Sequence, residues 1–534
     1  MMTQGEQLYF GGEIYTVDET RPTAEAVSVK DGRIVAVGSK KECQAALGKN
    51  HETVDLNGGA LLPGFIDTHL HPLLLVYFDL NVDLHDIDTI KALQDKIRDT
   101  AKRKDKDSWI IGLQLDDHSL RDARLPNRHD IDAACSDRPV LIVAFDGHRV
   151  ITNTQAIEAA GMTAATPDPA GGLIDRESDG YPTGVFRETA AHLMMGKMPP
   201  PSMDLFINGA AESFRKIAAR GITSIGVVLQ TDEEGPSGPQ GALELAGMEL
   251  LLGQMPANVY CMLIAHDVNQ ILAAQKTGLH SQEAGSHHIG GFKIYSDGTF
   301  QALTAYMKEP YADQPDKRGF LTLEREEIYR RMVEGHQAGL QIAIHAIGDA
   351  ANQTCIDLYD RLLKEYPRKD HRHRLEHASQ LDAGMIDAIV RLGLVVSTQP
   401  LFIHQEKKWL HKRMGRERAP WTYAFRSLVD AGVKVAGASD GPITSGDVLH
   451  AIQCCITREG FEPQQGLTAA QAVRMFTLDA AYAQFEDTVK GSLSVGKRAD
   501  MVILSANPVS VPPEKIRDIR VRRTICGGKV VFEE

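Results

Sequence analysis

Residues 60–71 read Ala60-Leu-Leu-Pro-Gly-Phe-Ile-Asp-Thr-His-Leu-His71, an apolar run of strand length that stops in two histidines two positions apart. An extended backbone points residues i and i+2 to the same side, so His69 and His71 offer both imidazoles to one point that a metal ion can bridge. Alone, a His-x-His pair means little; two satisfied or exposed histidines are the commoner outcome. Its meaning depends on what the rest of the chain places beside it.

Seven further apolar runs of strand length follow, at 221–228, 259–265, 289–295, 340–345, 372–377, 394–398 and 433–437. Helical patterns separate them, which is the signature of βα units around a parallel sheet. Eight such strands make an α/β fold of the (β/α)8 TIM-barrel type. One spacing is anomalous: roughly 150 residues lie between the first and second runs, far more than a βα unit needs. This gap predicts an inserted domain over 77–203, with strands of its own near 108–113 and 139–145 and Pro/Gly-rich loops around 168–172 and 198–201. At the two ends, 8–17 with 26–37 and 500–504 with 519–532 alternate in strand fashion around Asp31-Gly32 and Gly527-Gly528 turns. They are expected to form one small β-sandwich domain from both termini. The expected division is therefore 1–60 and 489–534 for the β-sandwich, 61–76 for barrel strand 1, 77–203 for the insertion and 204–488 for the remaining barrel.

The 534 residues are 43% hydrophobic and 24% charged, with a net charge of −13. That balance argues against nucleic acid or an anionic membrane surface, both of which need a concentrated positive field, and favours a small neutral or cationic substrate. The longest apolar runs, such as 140–145, fall far short of the about 20 residues that span a bilayer. No basic and apolar leader is visible at the start. The seven cysteines are scattered without Cys-x-x-Cys spacing, so they read as reduced thiols in a cytoplasmic protein. Assembly into a homo-oligomer is left open.

Ligand-type residues stand where the apolar runs stop, the face on which barrels carry their active sites. His345 ends the fifth run, His377 the sixth, and Asp440 follows the eighth in Ala438-Ser-Asp-Gly-Pro442. These nitrogen and oxygen donors suit zinc or a similar divalent ion. Lys293, in Gly291-Phe-Lys-Ile-Tyr-Ser-Asp297, lies inside an apolar strand and must be neutral, paired or modified. An ion pair with Asp297 is the plain structural alternative. An ammonium has no lone pair for a metal, whereas a CO2-derived carbamate would be an anionic ligand with two oxygens.

The order His-x-His, Lys, His, His, Asp along barrel strands 1, 4, 5, 6 and 8 resembles the amidohydrolase superfamily, and the local wording resembles its amidohydrolase 3 group of YtcJ-like proteins. That wording includes Leu62-Pro-Gly-Phe-Ile-Asp-Thr-His-Leu-His71, Lys293-Ile-Tyr-Ser-Asp-Gly298, His345-Ala-Ile-Gly-Asp349, Arg374-Leu-Glu-His377 and Gly496-Lys-Arg-Ala-Asp500. The resemblance implies two divalent ions, expected to be zinc. His69 and His71 would hold one, His345 and His377 the other, and carbamylated Lys293 would bridge them together with a water-derived hydroxide. Asp440 would bind the first ion and act as general base in hydrolysing a non-peptide C–N bond of a small molecule: an amide, N-formyl group, imide or urea-like unit.

His148 and Asn153 in the insertion match a family segment that leans towards the substrate, and Gln399 at the end of strand seven is a candidate hydrogen-bond donor to it. Glu376 is either a support for its neighbour His377 or merely structural. The charged stretch 407–416 reads as a solvated helix or loop face, or as a cover over the pocket. Phe300-Gln301 and Gly441 depart from the family wording and bear on substrate rather than mechanism. Two alternatives remain at this stage: a single-metal heterocycle deaminase with unmodified Lys293, and a non-catalytic scaffold, against which the presence of all six ligand positions weighs.

Overall fold

A computed structural model describes residues 5–116, 120–144, 149–169, 172–199, 201–232, 238–281 and 285–534. Eight parallel strands follow in chain order around one sheet: Phe65–Leu70, Ile222–Gln230, Asn258–Ile264, His288–Tyr295, Gln341–Ala346, Arg374–His377, Val395–Thr398 and Val435–Gly437. They are numbered here as barrel strands 1 to 8. Strand 1 meets the end of strand 8 through a parallel bridge between Leu70 and Gly441, backed by Asp440 N–H donating to His69 O at 2.8 Å and His71 N–H to Gly441 O at 2.9 Å. Every residue of strands 1, 2, 3, 5, 6, 7 and 8 is buried. Burial on both faces is why they read as unbroken apolar runs rather than alternating ones.

Helices return the chain between strands. In Ala383–Leu392 the Asp382 side chain accepts from Met385 N–H, Met385, Ile386, Ile389 and Leu392 form the buried stripe, and Gly393 ends the helix in the left-handed conformation.

The terminal segments pair in a single sheet rather than two separate ones. Its path runs Lys529–Glu533, Val521–Cys526, Met501–Leu504, Ala60–Pro63, Gln7–Tyr15, Thr23–Lys30, Arg33–Gly38. The sheet branches at Gln7–Tyr15, which pairs with Glu52–Asp55 along its first half and Ala60–Pro63 along its second. Its apolar face gathers Tyr9, Val27, Ile34, Leu61, Met501 and Ile525. The 60–68 run thus belongs to two sheets, split at Gly64, where a Cβ would fall 2.3 Å from Thr223 Oγ1. Only glycine permits that approach.

Leu74–Ala210 forms a compact unit of its own. Six strands make its mixed sheet, in the order Gly172–Arg176, Pro182–Glu188, Arg149–Thr152, Val140–Ala144, Ile110–Leu115, Val82–Asp83. Among the described residues no helix is long and apolar enough to cross a membrane. All seven cysteines are free, and six are buried.

Candidate metal centre

The barrel register brings the six ligand-type residues of the sequence to one end of the sheet. Lys293 on strand 4 stands beside Ala343 of strand 5, and His345 stands between Tyr295 and Glu376. His377 closes strand 6 opposite Ala346. Ring centroids are 5.4 Å apart for His69 and His71, 5.2 Å for His69 and His377, and 4.4 Å for His345 and His377. Asp440 Oδ1 lies 3.1 Å from His71 Nε2 and 3.4 Å from His69 Nε2. His69, His71 and Asp440 bring three donor atoms within 4.8 Å of one another. His377 and Asp440 both adopt the left-handed backbone, at φ 71° and 57°. Non-glycine residues are held there only when the surroundings enforce it, a feature that clusters at functional sites.

The ring nitrogens divide cleanly between protein partners and an open centre. His69 donates from Nδ1 to Glu376 Oε2 at 2.6 Å, His377 from Nδ1 to Gln399 Oε1 at 2.8 Å, and His345 from Nε2 to the Gly298 carbonyl at 3.2 Å. Each imidazole is thereby left with one lone-pair nitrogen. A buried atom without a partner is costly unless something else satisfies it. Nδ1 of His345 and Nζ of Lys293 are both buried and lack any hydrogen-bond partner. This donor set, with its outer nitrogens tied to acceptors, fits divalent metal ions.

Burial governs the charge states. It drives His69, His345 and His377 well below the usual imidazole range, with the nearby Lys293 acting in the same direction. Neutral imidazoles are the form that binds metal. Burial also brings the Lys293 amine down to about 8. For Asp440 burial pushes upward, but the His69 and His71 imidazoles and Lys293 outweigh it and hold the carboxyl below its ordinary value. Asp297, the alternative partner for Lys293, is engaged elsewhere: it accepts from Ile347, Gly348 and Tyr306 N–H at 2.9–3.0 Å.

A model of the amidohydrolase family matches residues 52–532. The chain belongs to the amidohydrolase family. Along nearly its full length it is similar to the putative amidohydrolase YtcJ of Bacillus subtilis (strain 168), at 28% identity over 99% of each chain. It is 26% identical to the N-substituted formamide deformylase of Arthrobacter pascens, over 100% of this chain and 99% of that one. Among solved structures, a metal-dependent hydrolase from Pyrococcus furiosus superposes with a TM-score of 0.75 at 25% identity, over 95% of this chain and 100% of the other.

Within this amidohydrolase fold, one substrate-contact expectation, Asn153, requires correction. Asn153 is fully buried and caps the helix Thr154–Ala159; its Oδ1 accepts from Ala156 and Val140 N–H, and its Nδ2 donates to Cys135 O and Arg138 O. All four hydrogen-bonding positions of the amide are used, so none remains for a substrate. Gln399 is also buried; its carbonyl accepts from His377 Nδ1 and orients that ring, while its Nε2 has no hydrogen-bond partner. His148 lies outside the described residues.

Sequence reasoning left Glu376 undecided and passed over Arg374. The fully buried Arg374 guanidinium pairs through Nε with Glu376 Oε1 at 2.6 Å and donates from Nη2 to Thr68 O at 2.9 Å. The only available signal was charge inside an apolar run, Arg374-Leu-Glu-His377, which demands a partner. Phe402 completes the wall, its ring parallel to His377 at 5.9 Å.

Proposed function

We propose that this chain is a metal-dependent hydrolase that cleaves a non-peptide C–N bond of a small molecule, and that its lysine works as a carbamate. The observation that carries the reading is Lys293 Nζ: a buried amine with no hydrogen-bond partner, near enough to the His69, His345 and His377 imidazoles to act on each of them. An amine brought down to about 8 is neutral often enough near pH 7–8 to add to CO2, and the product is the anionic ligand that a cluster of cations lacks.

His69, His71 and Asp440 would hold one divalent ion and His345 with His377 the other, with the Lys293 carbamate reaching both. When bound, two such ions, with zinc the expected identity, lower the pKa of water towards neutrality and polarise the scissile carbonyl. The protein's own contribution is positional and protonic. Glu376 and Gln399 fix the orientation of His69 and His377, while the Gly298 carbonyl fixes that of His345. Asp440, beside the Nε2 atoms of His69 and His71, would be placed to accept a proton from the attacking water and return it to the leaving nitrogen. Phe402 keeps bulk water from the His377 side. The deformylase relative supports N-formyl compounds among the candidate substrates.

A second reading rests on the tight convergence of His69, His71 and Asp440, which by themselves could hold a single ion and support heterocycle deamination. Metal counting together with 13CO2 labelling separates the two. With the rim histidine His404 replaced by alanine, two ions per chain and a carbamate resonance that disappears in Lys293→Met support the first reading; one ion and no carbamate in that background overturn it. Hydrolysis of a panel of amides, N-formyl compounds and imides should vanish in Asp440→Asn, and retained turnover would remove Asp440 from the proton-carrying role.

A further inference from the structure

We propose a separate divalent-cation site on the rim of the barrel, formed by His404, His450 and Glu459. His404 lies on the helix Leu401–Arg418 that follows strand 7, and His450 on the helix Val448–Thr457 that follows strand 8. Glu459 comes just after the second helix. His404 Nδ1 is 2.9 Å from Glu459 Oε1, and His450 Nε2 is also 2.9 Å from that same oxygen. The three donor atoms lie within 4.8 Å of one another.

The arrangement repeats a feature of the main centre, where two imidazole nitrogens converge on one carboxylate oxygen of Asp440. Tetrahedral zinc with ordinary ligand distances would separate such nitrogen and oxygen atoms by about 3.3 Å. To admit an ion the present contacts open by a few tenths of an ångström, and each neutral imidazole takes the tautomer that carries its proton on the ring nitrogen turned away from Glu459.

The carboxylate is held in place by its own segment. Arg458 and Glu459 both adopt left-handed backbone, at φ 52° and 46°. The fully buried Arg458 guanidinium anchors them by donating to Tyr423 O, Thr422 O and Phe461 O at 2.7–3.1 Å. Burial pushes the Glu459 carboxyl up, but hydrogen bonds from Lys407, His450 and His404 bring it down to about 2, so the anionic ligand is present at any working pH.

Lys407 fills the remaining demand for positive charge by pairing with Glu459 Oε2. Its side chain is 32% exposed against 12% for Glu459, so the ammonium can swing into solvent and yield to a divalent ion. His404, with 40% of its side chain exposed, gives the ion and a water ligand access from outside. A bound ion would tie the strand 7 helix to the strand 8 segment, which already meet where Gln405 Nε2 donates to Ile443 O at 2.8 Å, three residues beyond Asp440. The site therefore braces the loop that carries the main-centre carboxylate.

Co²⁺ titration of the metal-stripped protein tests this, with ions counted by native mass spectrometry and their geometry read from visible absorption. The wild type should bind one more ion than Glu459→Gln, and Lys407→Met should bind that additional ion about two- to fivefold more tightly, the scale of a partly exposed ion pair. Equal ion counts in wild type and a folded Glu459→Gln overturn the proposal. So does a Lys407→Met protein whose affinities all match the wild type, and because Lys407 lies on an outer helix face this arm holds even if Glu459→Gln fails to fold.

Discussion

Glu376 accepts a 2.6 Å hydrogen bond from His69 Nδ1, joining two buried residues 307 positions apart in the chain on barrel strands that are not neighbours in the sheet. Its other oxygen faces the Arg374 guanidinium at 2.6 Å, so the imidazole is oriented by a carboxylate that is itself held by a buried cation. An imidazole that donates from Nδ1 to a carboxylate presents a more basic and better aimed Nε2.

Glu376→Gln removes that charge while keeping the shape. Metal affinity should fall about 10- to 100-fold, the usual effect of losing an outer-shell carboxylate. Leaving Arg374 uncompensated inside the barrel should also cost about 3 kcal/mol of stability. Chelator competition and thermal unfolding measure the two effects. An unchanged metal affinity would reduce Glu376 to a structural partner of Arg374.

Lys293→Met is expected to separate chemistry from stability. The Lys293 amine has no hydrogen-bond partner, so a similarly shaped apolar side chain should leave the melting temperature of the metal-free protein unchanged or raise it. Hydrolysis should nevertheless drop by about 10²-fold or more, the scale on which removing one preorganised charge acts. A marked loss of metal-free stability would assign the lysine to the fold.

Stability should decline in mild acid in part for a reason located away from the metal centre. His371 and His373 precede strand 6, and His336 lies on the helix Arg325–Gln337. His371 Nε2 donates to Leu392 O, His373 Nε2 to His336 Nδ1 at 2.8 Å, and His336 Nε2 to Tyr366 O at 2.9 Å. Burial lowers all three below the ordinary imidazole value. The unfolded chain therefore binds protons first: stability is complete above about pH 6.5 and is lost as pH falls below it, by up to about 1.4 kcal/mol per pH unit per histidine. Melting temperatures from pH 8 to pH 5 would record the fall, and His373→Gln should flatten it; an identical slope in that variant would place the titrating groups elsewhere.

Asn153→Ala should weaken the Leu74–Ala210 unit and nothing in the chemistry. Four backbone groups lose their partner, so a cost of about 2 kcal/mol or more is expected, above that of an ordinary helix cap. Limited proteolysis should cut within this unit sooner, with KM unchanged below the unfolding transition. A raised KM at full stability would restore Asn153 to substrate contact.

All eight barrel strands stand within a few residues of the apolar runs that announced them, because strands buried on both faces must be apolar along their length. The residues that the barrel gathers at one end stood out equally: polar residues that interrupt or end such runs at 69, 71, 293, 345, 377 and 440 have no packing reason to be there. What those residues touch was not legible. Gln399 and Asn153 carry the same amide, and both read as candidates for substrate contact; register turned the carbonyl of one to His377 and left its Nε2 without a partner, whereas strands and helix caps consumed the other. The convergence of His404 and His450 on Glu459 was hidden because two helices following different strands supply it. Burial patterns are written along the chain, residue by residue, and sequence determines them directly. Hydrogen-bond partners are set across strands and helices by register and rotamer, and only the closed barrel decides those.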